Sequence, residues 1–245
     1  FLMNIGIIPA RLNSSRFPKK ILTPIFGIPM IAHVAERALK AKKLDKVILA
    51  VDSDETKMAL SDFNFEVMMT KKGHLSGTDR ITEVARNFKQ AKVIINIQGD
   101  EPLIDPEIID SLVDVFKNDE VLMSTIITKK LSSKDLIDSN VVKVLVDENQ
   151  NAINFKREVF DMEIGGLYRH IGIYGFRKKT LFHFSSLSPS ELELRYNLEQ
   201  LRALENGIMI KTILTEKSYQ SVDTKEDLKK ILSSFKQEDF TEFYD

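Results

Sequence analysis

The sequence predicts an α/β fold in which a mixed, mostly parallel sheet is flanked by helices and carries a smaller strand-rich lobe as an insertion. Short apolar runs alternate with amphipathic helical segments in the first half, a pattern typical of parallel strands joined by helical crossovers. From residue 121 to 176 the chain reads as successive strands, which indicates a more antiparallel lobe. The 245 residues, 43% of them hydrophobic and 29% charged, suit one globular domain with such a lobe.

The first half of the chain is predicted as strands and helices in alternation. Apolar runs predict strands at 5–9, 46–51, 65–69 and 92–97. Apolar residues at helical spacing predict helices at 29–43, 54–63, 79–88 and 106–117. The first and last of these helices begin with a proline, whose fixed φ suits the first helical turn.

The second half is predicted as four strands followed by a helix, a strand and a last helix. The strands are 121–128, 141–147, 152–156 and 170–176. A long helix is predicted at 191–206, because Ser190-x-x-Glu193 is a capping pattern and Gly207 is a stop signal. Strand 208–214 and helix 225–235, which opens with Thr224-x-x-Asp227, complete the chain.

Composition excludes several classes of protein. The 35 Lys and Arg residues against 36 Asp and Glu argue against binding nucleic acid through overall positive charge. The absence of cysteine excludes disulfides, a thiol nucleophile and thiolate metal sites. No apolar run approaches the ~20 residues that span a bilayer, and the pattern of a secretory leader is missing. We therefore expect a cytoplasmic protein without a membrane segment.

Four cations follow the first predicted strand, within PARLNSSRFPKK at residues 9–20. These are Arg11, Arg16, Lys19 and Lys20. Ligands of open α/β sheets bind at the carboxyl ends of strands, and guanidinium groups match phosphate oxygens, so the segment favours phosphate binding. The alternative is a solvated basic loop. GxGxxG and GxxxxGK[ST] are both missing, which argues against the common dinucleotide and P-loop sites.

A carboxylate follows another apolar strand, within NIQGDEPLI at residues 96–104. If the two strands are parallel neighbours, Asp100 emerges at the same edge as Arg11. Mg²⁺ usually takes one or two carboxylates together with phosphate oxygens, so Asp100 is a candidate ligand. The alternative is that Asp100 and Glu101 form a turn or cap before the next helix.

Three weaker patterns complete the candidates. HLSGTDR at 74–80 is a turn entering a helix, where Ser76 or Thr78 is equally explained as an N-cap. Strand alternation places His170 and Tyr174 on one face with Gly172 between them, although a buried structural histidine is the simpler interpretation. The last pattern consists of LEQLR at 198–202 and SVDT at 221–224. Glu199 and Arg202 are equally explained as an exposed ion pair, and Asp223 as the cap of the last helix.

Taken in order, the motifs PAR-x2-SSR-x3-K, SGTDR, QGDEPL, VVKV, RHIGIY, LEQLRALE and VDT-x-EDL resemble the 3-deoxy-manno-octulosonate cytidylyltransferases, or CMP-Kdo synthetases. The resemblance runs from Ile5 to about Leu232. It implies a nucleotide-diphospho-sugar transferase-like fold, a homodimer and magnesium dependence. The implied reaction is transfer of CMP from CTP to the acidic sugar 3-deoxy-manno-octulosonate (Kdo), for lipopolysaccharide biosynthesis.

The resemblance also implies roles for individual residues. The expected catalytic set is Arg11, Arg16, Lys20, Asp100 and Asp223, with the three cations on the triphosphate and the two carboxylates on Mg²⁺. The expected nucleotide-binding residues are Pro9, Ala10, Arg11, Ser76, Gly77, Thr78 and Arg80. The expected sugar-binding residues are Gln98, Arg157, His170, Tyr174, Glu199 and Gln200. Residues 1–120 and 191–235 are then the nucleotide-binding core, and 121–190 the lobe with the sugar site and the dimer contact.

The chain departs from the family pattern at three places. Lys19 stands where the family usually has glycine, Lys156 where it has serine, and the segment between Arg157 and Tyr168 is short. The last two changes leave open a different acceptor, such as an amino-Kdo analogue, another sugar acid or a phosphonate. A nucleotide-binding protein without turnover is the third hypothesis, and two carboxylates beside a phosphate site argue against it.

Overall fold

The computed structural model describes residues 2–14, 17–159, 166–217, 221–234 and 236. The chain divides into two compact units, one formed by Phe1–Asp110 with Tyr219–Asp245 and the other by Ser111–Ser218. None of the helices in the described ranges is long and apolar enough to cross a membrane.

The described residues form strands and helices in the following chain order. The strands are β1 (Met3–Ala10), β2 (Pro24–Ile25), β3 (Ile28–Pro29), β4 (Lys46–Val51), β5 (Glu66–Met69), β6 (Ala91–Asn96), β7 (Met123–Thr128), β8 (Lys143–Val146), β9 (Ala152–Lys156), β10 (Leu167–Arg177) and β11 (Ile210–Thr215). The α-helices are α1 (Met30–Leu39), α2 (Asp54–Ala59), α3 (Gly77–Ala85), α4 (Pro106–Asp114), α5 (Ser133–Ile137), α6 (Lys178–Ser186), α7 (Glu191–Tyr196), α8 (Gln200–Glu205) and α9 (Lys225–Ser234).

In the first unit, four parallel strands lie in the order β6-β1-β4-β5. The register pairs Ala10 with Val51 and Ile7 with Asn96, so β1, β4 and β6 end at one edge. Ile5, Ile7, Ile8 and Ala10 of β1 are completely buried, which explains why this run forms the centre of the sheet. The parallel pairing predicted from the strand–helix alternation is confirmed.

A hairpin that the sequence did not predict precedes helix α1. Strands β2 and β3 pair through a two-residue turn in which Phe26 and Gly27 both have positive φ, 48° and 85°. Two such residues form the turn that suits the twist of a hairpin. Pro29, predicted to open the helix, is its N-cap, and the helix ends at Leu39 rather than residue 43.

The second unit is rich in antiparallel strands, as predicted. β10 pairs antiparallel with β7 and β8, and β8 pairs antiparallel with β9. β11 runs parallel to β7. With the parallel sheet of the first unit, these pairings confirm the predicted class of a mixed, mostly parallel α/β protein. Helices α5 and α6 were not predicted.

The long helix predicted at 191–206 is wrong, because it is interrupted. Helix α7 ends at Tyr196, Asn197 adopts a left-handed conformation with φ 52°, and α8 begins at Gln200. The predicted capping box is confirmed, since the Ser190 side chain accepts the Glu193 N–H and the Glu193 side chain accepts the Ser190 N–H.

Candidate active site

A pocket of about 300 Å³ lies at the edge where β1 and β6 end. All residues that line it belong to the first unit. Nine residues predicted from the sequence are among them: Pro9, Arg11, Lys20, Ser76, Gly77, Arg80, Gln98, Asp100 and Asp223. Four segments that are distant in sequence therefore meet at one site, as the parallel order of the strands requires.

Two glycines allow the pocket wall to close around Pro9. A Cβ atom on Gly99 would lie 3.3 Å from the Pro9 carbonyl oxygen, and one on Gly77 would lie 3.2 Å from the Pro9 ring. Both distances are tighter than ordinary contacts, so a side chain at either position would require Pro9 to shift by a few tenths of an ångström. The two glycines therefore allow a close approach to Pro9.

Two residues predicted at the nucleotide site, Ala10 and Thr78, are not among those that line the pocket, a third, Ser76, has a second role, and a fourth, Arg16, is not described. Ser76 lines the pocket and also caps α3, because its hydroxyl accepts the Asp79 N–H at 3.1 Å. Ala10 and Thr78 are buried and do not line the pocket. Arg16 lies outside the described residues.

Lys20 joins the two predicted metal ligands. Its Nζ donates to Asp100 Oδ2 at 2.6 Å and to Asp223 Oδ1 at 3.1 Å, and its side chain is only 12% exposed. Burial alone would lower the pKa of Lys20, but the two carboxylates outweigh it and raise this pKa. The Val222 N–H donates to the Asp100 carbonyl at 2.9 Å, so the two carboxylate loops are tied together.

Glu101 lies beside this cluster without adding to its charge. Its side chain is buried, and its Oε2 has no hydrogen-bond partner among the described residues. Burial, and then the charges of Asp100 and Asp223, raises the pKa of Glu101 to about 8. The Glu101 carboxyl is therefore mostly neutral at pH 7.

Arg80 lines the pocket but is held by protein groups. Its guanidinium donates to Asp52 Oδ2 at 3.1 Å and to Thr70 Oγ1 at 2.5 Å, and the residue is 3% exposed. Burial lowers the pKa of Arg80, although the Asp52 carboxylate opposes this shift. Arg80 therefore supports the wall of the pocket.

Asp52 is a site residue that the sequence analysis missed. Its Oδ1 accepts the Leu12 N–H at 2.9 Å while its Oδ2 accepts from Arg80. One buried carboxylate thus connects the cationic loop after β1 to helix α3. The available signal was its position, directly after the predicted strand 46–51 and hence at the same sheet edge.

His74 also lines the pocket without having been predicted. Its Nε2 contacts Glu83 Oε2, and Glu83 also accepts the Lys71 N–H at 3.2 Å. Although burial opposes the change, the hydrogen bond from His74 and then that from Lys71 lower the pKa of Glu83. These contacts attach the loop that carries His74 to helix α3.

Lys19, the residue at the usual glycine position, has a left-handed backbone with φ 54°. Glycine adopts this conformation readily, which accounts for the glycine in the family pattern at this position. A lysine in the same conformation is strained. The Lys19 ammonium points to Glu55, 2.6 Å away, and does not line the pocket. The fourth cation of the loop therefore adds no direct contact to the site.

Five of the six predicted sugar-binding residues lie in the second unit, while Gln98 lies in the first. Within the second unit, the rings of His170 and Tyr174 have centroids 5.4 Å apart, so they share a face as predicted. His170 Nε2 lies 2.9 Å from Thr125 Oγ1, and burial lowers the pKa of His170 to about 3. His170 is therefore neutral at pH 7 and hydrogen-bonded within the sheet.

Arg157 is bound to backbone carbonyls. Its guanidinium donates to the oxygens of Tyr196 and Asn197, each at 2.9 Å, and of Ser139 at 2.8 Å. These contacts hold the break between α7 and α8 against the loop before β8. Within the described part of the chain, hydrogen bonds engage three of the five N–H groups of Arg157.

Glu199 and Gln200 stand at the start of α8. Burial, and then the charge of Glu199, raises the pKa of Tyr174 well above its usual range. Arg202 is buried and binds Glu193 at 2.5 and 2.7 Å, with Glu199 farther away at 3.8 Å. The alternative of an ion pair between Glu199 and Arg202 is therefore confirmed, but Arg202 is buried rather than exposed and Glu193 is its nearer partner.

Comparison with known proteins assigns the class first. Residues 5–218 match the family model described as cytidylyltransferase. The inositol-1-phosphate CTP transferase of T. maritima has the same fold, with a TM-score of 0.69 at 19% identity over 100% of this chain and 98% of that one. The fold and the match define the class as cytidylyltransferase.

More similar proteins define the family. The 3-deoxy-manno-octulosonate cytidylyltransferase of Solibacter usitatus is 42% identical over 238 residues, 95% of this chain and 94% of the relative. That of Thermodesulfovibrio yellowstonii is 41% identical over 244 residues, 93% and 96% of the two chains. A structure of CMP:2-keto-3-deoxy-manno-octonic acid synthetase complexed with CTP is 34% identical, with a TM-score of 0.89 over 95% and 98%. The chain belongs to the 3-deoxy-manno-octulosonate cytidylyltransferase family.

Proposed function

We propose that this protein transfers CMP from CTP to 3-deoxy-manno-octulosonate, giving CMP-Kdo and pyrophosphate. The observation that carries the proposal is the pocket of the first unit, where the cations Arg11 and Lys20 meet the carboxylates Asp100 and Asp223. Cations of this kind bind phosphate oxygens, and a carboxylate pair beside them suits a metal–triphosphate complex. The similarity to a synthetase complexed with CTP supports the same conclusion.

We propose Mg²⁺ as the cofactor, and the donor set fits it. Asp100 and Asp223 both lie within 3.1 Å of one cation, the Lys20 ammonium, so their oxygens converge on a common point. Two carboxylates with phosphate oxygens and water are the usual environment of protein-bound Mg²⁺. When bound, Mg²⁺ would offset negative charge on the phosphates and lower the pKa of the attacking hydroxyl.

The reaction requires no covalent intermediate with the protein. The anomeric hydroxyl oxygen of Kdo forms a bond to the α-phosphorus of CTP. The bond between the α-phosphorus and the oxygen that bridges to the β-phosphorus breaks, and pyrophosphate leaves with the electron pair of that bond. The hydroxyl proton is released. In this scheme Arg11 and Lys20 stabilise the negative charge that accumulates on the leaving pyrophosphate. Arg80, through its bonds to Asp52 and Thr70, keeps helix α3 in place beside the nucleotide.

The acceptor side of the proposal rests on residues of the second unit. Arg157 has two N–H groups that bind no described residue, and its guanidinium suits a sugar carboxylate. His170 is neutral, so it can contribute hydrogen bonds but no positive charge. Lys156 is exposed on β9, and a cation there favours an acceptor with a further acidic group as the alternative substrate.

Pyrophosphate release tests the proposal. Purified protein with CTP and Mg²⁺ should release pyrophosphate when Kdo is added and should not when Kdo or Mg²⁺ is omitted. A parallel set contains an amino-Kdo analogue, another sugar acid and a phosphonate. If pyrophosphate is released with one of these compounds but not with Kdo, that compound is the acceptor. Lys156→Ser should then restore activity toward Kdo. Binding of CTP without release from any acceptor would contradict an enzymatic function.

Replacing Asp52 by asparagine should raise the KM for CTP about tenfold while kcat changes by less than about threefold. Asparagine has the same shape but cannot neutralise Arg80, so the cationic loop at Leu12 and helix α3 lose their shared anchor. Steady-state kinetics at saturating Kdo would give the two constants. The control is Asp54→Asn, an exposed carboxylate two residues later, which should leave both unchanged. An unaltered KM in Asp52→Asn would remove Asp52 from the site.

We also propose a cytoplasmic homodimer that serves lipopolysaccharide biosynthesis. The family membership supports this role. Large apolar side chains exposed on the second unit, including Ile153 at 53% and Leu194 at 71%, support a contact with another copy of the chain.

A further inference from the structure

The ammonium of Lys20 lies at the point that two carboxylates share. Its Nζ is 2.6 Å from Asp100 Oδ2 and 3.1 Å from Asp223 Oδ1. The Lys20 side chain is largely buried, so solvent screens its contact with Asp100 little, whereas the Asp223 side chain is 50% exposed. A cation is therefore held where the donor set would hold a divalent metal ion.

The segments that carry these three groups are anchored to one another. Phe17 and Val222 pack in the same buried cluster with Ile25, and Val222 N–H donates to the Asp100 carbonyl. These contacts hold the two loop backbones close together, so both carboxylates stay near a common point. The Lys20 side chain, by contrast, has a flexible four-carbon stem.

A divalent ion at this point would lie beside the ammonium, and two positive charges at contact distance repel strongly in a partly buried site. The ion therefore requires Lys20 to move. The triphosphate offers the ammonium new partners, because Lys20 lines the same pocket as Arg11.

We propose that Lys20 is a placeholder cation that couples metal binding to nucleotide binding. With Lys20 on the carboxylates, the metal binds weakly; when Lys20 moves to phosphate oxygens, both carboxylates become available. The coupling is reciprocal, so the metal also increases the affinity for CTP. The ammonium further prevents the two carboxylates from repelling an approaching triphosphate. This inference rests on the proposed function of the pocket as a metal–nucleotide site.

Binding of Mn²⁺ in the absence of nucleotide tests the proposal, with free Mn²⁺ measured by electron paramagnetic resonance. Lys20→Met removes the charge and keeps most of the stem, so it should bind Mn²⁺ at least tenfold more tightly than the unmodified protein. Lys20→Gln should behave in the same way and provides a second variant if the first folds poorly. Adding Asp100→Asn to Lys20→Met should abolish the gain.

Lys19→Met is the matched control, because Lys19 is the adjacent cation but binds Glu55 outside the pocket. It should leave Mn²⁺ binding unchanged. Equal Mn²⁺ affinity in the unmodified protein and in both folded Lys20 variants would overturn the proposal. If the unmodified protein still releases pyrophosphate with Kdo, only the placeholder role fails. A gain in Mn²⁺ affinity without release from any acceptor would instead retain that role and contradict the proposed reaction.

Discussion

Asp100→Asn should reduce kcat for pyrophosphate release by about 10²- to 10³-fold, the range seen when a charge-stabilising group is removed from a reaction centre. Asparagine preserves the shape of the side chain but removes the negative charge. Lys20 then loses its 2.6 Å partner, and the site keeps a single carboxylate, Asp223. Initial rates at saturating CTP and Kdo would measure the effect, with a thermal melt to show that the variant folds.

A carboxylate outside the pocket provides the control for this experiment. Glu55 pairs with Lys19, one residue before Lys20, and Glu55→Gln removes a charge close to the same loop. Because that pair is exposed, its removal should change kcat by less than about twofold. Turnover of Asp100→Asn close to that of the unmodified protein would exclude Asp100 from the metal site.

Lys143→Met should lower the free energy of unfolding by about 3 kcal/mol, since acceptors left unpaired at a partly buried site cost ~1–3 kcal/mol each and rehydration recovers some of the loss. Lys143 is completely buried, and its Nζ donates to the carbonyls of Asp138 and Val141 at 2.8 Å and of Arg157 at 2.5 Å. Methionine fills similar space but removes the donor from the Val141 and Arg157 oxygens, while the Asp138 oxygen keeps the Val141 N–H at 3.1 Å. Urea unfolding followed by circular dichroism would measure the change.

Lys156, the residue paired with Lys143 on the neighbouring strand, provides the control for this stability measurement. It lies opposite Lys143 in the β8–β9 pair but is exposed, so Lys156→Met should change stability by less than about 0.5 kcal/mol. If Lys143→Met were as stable as the unmodified protein, the contacts of Lys143 with the Val141 and Arg157 carbonyls would contribute nothing to stability. Because Lys143 also holds the Arg157 backbone, the destabilised variant should show a higher KM for the acceptor.

The elements that could be predicted were those with a long repeating pattern. The strand at 46–51 was predicted with its observed bounds, and β1 and β6 lie within two residues of the predicted ends, because continuous apolar runs mark strands buried on both faces. The capping box at Ser190 was predicted for a similar reason, since it depends on two side chains three residues apart.

The elements that were missed depend on few residues or on distant ones. The hairpin at Pro24–Pro29 has only two residues in each strand and shows no alternation. The break between α7 and α8 falls inside an apparently helical pattern. It is held by the guanidinium of Arg157, forty residues away from Asn197 in the sequence, so local propensity could not reveal it.

The sequence by itself determined the α/β class, the parallel order implied by the crossovers and the family motifs that bring Arg11, Lys20, Asp100 and Asp223 to one site. Only the tertiary structure decided how these charges are shared. Arg80 is occupied by Asp52, Lys19 by Glu55, and Lys20 by both carboxylates of the predicted metal site. The physical reason is that charge pairing depends on distances of a few ångströms between side chains, and these distances exist only after separate strands have been brought to a common edge.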